Sequence, residues 1–234
     1  MRNRLIYFAL ILIMFNTACS SDSNENSSPV LGELTLATPV DNSTCEGVSV
    51  SSSKCEVILN WEATSGDDTY TLTVTNLNTN KVLLIKNNIE ATSYTLTLDK
   101  QVPFSWKVSS TSNITKEVNN VSPVWKFYAS AGESVSNFAP FPADLLAPIQ
   151  DKVVTSVDGK IVLKWAGSDT DGDSLKYTVY VDKVDGKQTP AAALTNLTAN
   201  EVSVGVTPGV YYWRVKTTDS NSSSFSQIVS FTVN

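Results

Sequence analysis

Asp169, Asp171 and Asp173 alternate along the run Asp169-Thr170-Asp171-Gly172-Asp173. Carboxylates at every second position around a glycine can converge several oxygens from one turn, which is what a hard cation such as calcium requires. The same run also makes an ordinary Asp/Gly turn whose side chains accept hydrogen bonds from their own backbone. Both readings stand at this stage. As an acid–base pair the cluster has no opposing group and no placed substrate, so it is not read as a catalytic centre.

The chain contains no His. That removes Ser-His-Asp and Cys-His catalysis and every His-ligated metal site. Cysteine is sparse and odd in number: Cys19, Cys45 and Cys55. If Cys19 is used elsewhere, Cys45 and Cys55 remain as a pair flanking a polar stretch, 46–54, that reads as a hairpin or loop. A disulfide closing about ten residues would stabilise an exported domain by roughly 2–3 kcal/mol. The alternative, a metal held by the two thiols, lacks further ligands. No cofactor is required by any of these residues, and calcium at the Asp run is the one inorganic ligand they suggest.

The elements that must position these residues are strands. The sequence repeats itself: Val57-Ile58-Leu59-Asn60-Trp61 against Ile161-Val162-Leu163-Lys164-Trp165, Tyr70-Thr71-Leu72-Thr73-Val74 against Tyr177-Thr178-Val179-Tyr180-Val181, and Phe104-Ser105-Trp106-Lys107-Val108 against Tyr211-Tyr212-Trp213-Arg214-Val215. Ser122 through Phe127 likewise matches Ser226 through Phe231. Each copy is about 100 residues of period-two alternation in β-branched and aromatic residues, the mark of half-buried strands, with turn residues between. Tyr94, Leu96 and Leu98 alternate in the first copy and Val202, Val204 and Val206 in the second, one residue out of step. Short strands at this spacing predict an all-β chain of two tandem β-sandwiches.

Both copies resemble fibronectin type III domains. The resemblance rests on an early Pro (Pro39, Pro148), a Trp on the second strand (Trp61, Trp165), a Tyr on the third (Tyr70, Tyr177), an aromatic-x-hydrophobic-x-Val sixth strand and a Ser opening the last strand. The first copy departs at Phe104, where the family's sixth-strand Tyr is usual, so its corner hydrogen bond should be missing. All five Trp, including Trp125, are expected inside. The implied boundaries are residues 30–130 and 142–234, joined by 131–141. Two Pro in the segment Phe138-Ala139-Pro140-Phe141-Pro142 favour an extended, semi-rigid spacer holding the domains apart. In the implied fold the third and sixth strands are neighbours, so outward-facing Tyr180, Tyr212 and Arg214 would share one surface. Tyr and Arg anchor interfaces, and the bland alternative is a cross-strand pair that stiffens the sheet.

The N-terminus reads as a signal. Arg2 and Arg4 precede the apolar run Leu5–Phe15, which is too short for the ~20 residues a spanning helix needs. Asn16-Thr17-Ala18-Cys19 resembles a bacterial lipobox, which implies a signal peptide over 1–18, a lipid on Cys19 and a polar tether over 19–29. Ordinary secretion with Cys19 as a bystander is the alternative. With net charge −6, and only Arg214 left among arginines once the signal is removed, the chain offers no basic footprint for nucleic acid. The expected function is non-enzymatic: an outer-membrane lipoprotein, on the cell surface or periplasmic face, serving as a tethered binding or spacer module. Its partners would be the membrane through its lipid and a protein or glycan. The alternatives are a glycan-capturing adhesin and a subunit of a larger envelope assembly.

Overall fold

A computed structural model describes residues 32–64, 68–132 and 135–234. The signal, Cys19 and the tether lie outside the described residues. Among the described residues no helix is long and apolar enough to cross a membrane.

The chain is all-β. Its first half contains β1 (Gly32–Glu33), β2 (Leu36–Thr38), β3 (Ser43–Glu46), β4 (Val48–Ser49), β5 (Lys54–Trp61), β6 (Asp68–Asn76), β7 (Lys81–Ile89), β8 (Ser93–Asp99), β9 (Pro103–Ser112), β10 (Val118–Val121) and β11 (Trp125–Ser130). The second half contains β12 (Asp144–Ala147), β13 (Lys152–Val154), β14 (Lys160–Ala166), β15 (Lys176–Asp182), β16 (Glu201–Gly205), β17 (Gly209–Thr218), β18 (Ser223–Phe225) and β19 (Val229–Val233). In the first sandwich a sheet of β2, β4, β5 and β8 faces one in which β7, β6, β9 and β11 run side by side, with β10 and β3 at its margins. In the second, β12-β14-β16 faces β13-β19-β17-β15. The second sandwich has no strand matching β7; residues 183–200 instead pass through a 3-10 turn, Ala192–Leu194.

Alternation explains the cores. Val57, Leu59 and Trp61 turn inward from β5, and Ile161, Leu163 and Trp165 from β14. Leu96 pairs with Val57 and Val204 with Ile161, so the strands that look out of step in sequence present the same face. Each second-strand Trp meets its third-strand Tyr edge-on at a centroid distance of 5.5 Å, the geometry aromatic quadrupoles favour. The Tyr211 hydroxyl accepts the Thr207 N–H at 3.0 Å, a bond Phe104 cannot make. Trp125 departs from expectation: it is half-buried rather than enclosed, and lies edge-on against its cross-strand neighbour Trp106.

The cysteine segment is also not a simple hairpin. β3 pairs with β11 in one sheet, whereas β4 and β5 belong to the other. The chain changes sheets at Gly47, whose N–H donates to Ser130 O at 2.7 Å. A Cβ at Gly47 would strike the Glu56 carbonyl, so only Gly fits the crossing. Cys45 and Cys55 therefore face each other from opposite sheets, both packed in the first core. No disulfide joins them in this structure.

The spacer expectation fails. Residues 135–142 do not hold the domains apart, because Phe138 and Phe141 are buried with Tyr128 of β11 in a third apolar cluster. The Tyr128 ring lies 4.8 Å from Phe138 and 5.0 Å from Phe141, and its hydroxyl donates to Ala139 O at 2.9 Å. Lys126, only 6% exposed, crosses to Asp144 at 2.7 Å. Pro140 and Pro142 do extend the connector; its two Phe side chains dock it onto the first domain. Truncating Phe141 (Phe141→Ala) should cost about 3 kcal/mol, as for other buried Phe. In calorimetry the wild-type chain should unfold in one transition and the variant in two. A variant that still melts as one unit at the wild-type temperature would show that the cluster does not join the domains.

Candidate functional site

Two regions contain the residues singled out in the sequence. The first is the loop that carries Asp169, Asp171 and Asp173, between β14 and β15. It spends its polar groups on the domain junction. The Phe138 N–H donates to Asp171 Oδ2 at 2.6 Å, and the Phe141 N–H donates to Ser168 O at 2.9 Å. The Ser168 hydroxyl donates to Asn42 of the first domain at 2.6 Å, and the hydroxyls of Thr44 and Thr170 lie 3.1 Å apart. Asp169 Oδ1 accepts the Asp171 N–H at 2.7 Å, the local turn bond expected of such a run. Burial raises the pKa of Asp169, and the charges of Asp171 and Asp173 add to this, against lowering bonds from their backbone N–H groups. Among the described residues no three His, Cys, Asp or Glu side chains converge as a metal site.

Asp219, in the loop after β17, completes the clamp. Its Oδ2 accepts from the Asn137 amide at 3.1 Å, and its Oδ1 from the N–H groups of Asn221 and Ser222. Nothing in the sequence distinguished Asp219 from an ordinary turn residue. With Asp169 and Asp171 it surrounds Tyr128, whose hydroxyl is held strongly in its neutral form, first by burial and then by these three charges.

The second region is the outer face of β15 and β17. Tyr180 and Arg214 are direct cross-strand partners, as the alternation requires. The structure adds a residue not foreseen, Phe225 on β18, which pairs with β17 through Lys216. The Arg214 guanidinium carbon lies 4.3 Å from the Phe225 ring centre and 4.8 Å from that of Tyr180, and the two rings are 5.8 Å apart. The Lys216 ammonium approaches the same Phe225 ring at 5.9 Å. Phe225 remains 40% exposed. Tyr180 and Tyr212 are half-buried rather than open to solvent. Arg214 and Phe225 cover the former. The turn after Asp182 lies against the latter: a Cβ on Gly186 would come within 3.3 Å of the Tyr212 Cβ. Asp182 holds that turn through the N–H groups of Val184, Asp185, Gly186 and Gln188. Burial alone would raise its pKa, but these bonds outweigh burial and lower it.

Cys45 is a poor nucleophile where it stands. Burial, then the neighbouring Cys55 and Glu46, push its thiol up to about 11, so the thiolate is scarce at neutral pH.

Strand order carries the fold, since β2, β5 and β8 face β6, β9 and β11 in the first copy as β12, β14 and β16 face β15, β17 and β19 in the second. Among solved structures the chain is similar to a two-domain fibronectin type III segment of chicken tenascin. The match has 13% identity, 85% coverage of this chain, 95% of that one and a TM-score of 0.26. No family model matches the chain, and no curated protein does.

The clamp should respond to acid. Burial would raise the pKa of Asp219, but the bonds from Ser222, Asn137 and Asn221 outweigh it and lower it. A depressed folded value means that its contribution is complete above the unfolded value of about 3.9 and is lost as pH falls through the folded value below it. The protection factors of the amides of residues 137–139 and 141, taken against the intrinsic exchange rate at each pH, should therefore fall on acidification below about pH 4. The Asp219→Ala variant should exchange fast there already at neutral pH. Identical exchange in variant and wild type would remove Asp219 from the clamp.

Proposed function

We propose that this chain is a non-enzymatic, membrane-tethered binding module that presents the outer face of β15, β17 and β18 to a protein or glycan partner. The observation that carries the reading is the guanidinium of Arg214 held between Tyr180 and Phe225. An Arg fixed by two rings has lost most of its rotamer freedom before binding, so little further entropy is lost when a partner docks. Aromatic and Arg side chains grouped in this way are what interface hot spots are made of. The corresponding surface of the first domain has Thr73, Ser105 and Lys107, which offers no such anchor.

The tether in this reading is the lipid on Cys19, inserted in the outer membrane, and export brings Cys45 and Cys55 into an oxidising compartment where they join across the two sheets. The non-enzymatic reading is supported by the lack of any His.

The test uses the lipidated chain on its own cells. Replacing both Tyr180 and Phe225 by Ser should leave the fold intact, since substitutions on a sheet's outer face usually cost little. Capture of surface glycans or co-purifying proteins should fall by tenfold or more. A soluble Cys19→Ala form should keep the binding and lose the membrane. Unchanged capture by the double variant would leave a spacer role in place of the binding one.

A further inference from the structure

We propose that the cleft between the two domains is a second binding site, for a small hydroxylated carboxylate the size of one acidic sugar. The docked domains border an open cleft of 400 Å³, at the small end of the range of ligand sites, about 300–1,000 Å³. Its floor is the outer face of the first domain. Thr75, Ser105 and Lys126 form one cross-strand row, and Thr73 and Lys107 pair in the next. Its far wall is Asp144 and Gln227 of the second domain. The Asn80 amide donates to Gln227 Oε1 at 2.7 Å across the gap, and beyond that bridge a smaller chamber of 200 Å³ shares Asn80, Asp144 and Gln227.

The chemistry of the lining selects the ligand class. Two lysines and one aspartate line the cleft, which makes it locally positive in a chain of net charge −6. Lys126 is committed to Asp144 at 2.7 Å. That leaves Lys107, which no carboxylate engages among the described residues, as the cation for an incoming anion. Around it stand the hydroxyls of Thr73, Thr75 and Ser105 and the amides of Asn80 and Gln227. These are donors and acceptors both, suited to a ring of alcohols. A neutral sugar would lack the ionic partner, and Trp106 is buried in the core, so no open ring face in the floor would replace it. A bare anion would leave the hydroxyl platform unused. The cleft shares no residue with the Tyr180–Arg214–Phe225 face, so the two sites stand or fall separately.

The test titrates the intact soluble chain with glucuronate, galacturonate, glucose and acetate, followed by backbone amide shifts. The sugar acids should perturb Thr73, Ser105 and Lys107 and saturate at millimolar concentration or below. Glucose and acetate should bind at least tenfold more weakly. Lys107→Gln should weaken the sugar acids at least tenfold, whereas Lys107→Arg should largely retain them. The Tyr180→Ser, Phe225→Ser double variant should bind them as the wild type does. Failure of both sugar acids to perturb the cleft, acetate binding as tightly as glucuronate, or wild-type affinity in Lys107→Gln would each overturn the proposal.

Discussion

Phe138 and Phe141 are apolar side chains in a connector, and they must be buried somewhere. Two tandem sandwiches joined by eight or so exposed polar residues would reorient freely, since interdomain contacts within a chain are ordinarily modest. Here the connector carries its own apolar groups, and Tyr128 receives them at the margin of the first core. Once the chain is pinned there, the loop after β14 lies against the first domain, and Ser168, Thr170 and Asp171 find partners across the junction. The Lys126–Asp144 pair then closes over a nearly buried ammonium. Such a charge is costly to leave alone, which makes the docked arrangement self-consistent rather than incidental.

The interdomain cleft exists only because the domains are docked, and its polar platform is an ordinary sheet face until the second domain roofs it. The Arg214 face, by contrast, belongs to the second sandwich alone and depends on the register of β15 against β17. A one-residue slip would exchange Tyr180 and Arg214 for core residues. The missing counterpart of β7 matters as well. In the first sandwich that strand lies alongside β6, whereas in the second the irregular stretch 183–200 leaves β15 at the sheet edge.

Much of the fold was legible because alternation and aromatic placement agree. Trp61 with Tyr70 and Trp165 with Tyr177 read as inward pairs from sequence and meet at the same distance in both copies. That Tyr180 and Arg214 share an outer face was legible from alternation together with the strand neighbours that the fibronectin type III resemblance implies. The junction was not. Pro140 and Pro142 signalled extension, which is a local property, and the burial of Phe138 and Phe141 is tertiary. The two large aromatic side chains in a connector of mostly small or polar residues were the available signal. The Asp run was read as a cation loop or a turn. Its role as a junction clamp depends on which backbone lies opposite, which spacing cannot show. Phe225 escaped notice because β18 is three residues long and has too little alternation to fix its face. Cys45 and Cys55 were read as a pair flanking a hairpin or loop, and the change of sheets at Gly47 places them on opposite walls of one core.

The central claim is that the aromatic junction makes the two sandwiches one rigid body. Residual dipolar couplings of the backbone N–H groups in weakly aligned soluble chain test this directly, because they report each domain's orientation in solution. A single alignment tensor should fit the couplings of residues 34–131 and 143–233 together, with the mutual orientation found here. Two tensors of different magnitude, one for each sandwich, would mean independent motion and would contradict the account.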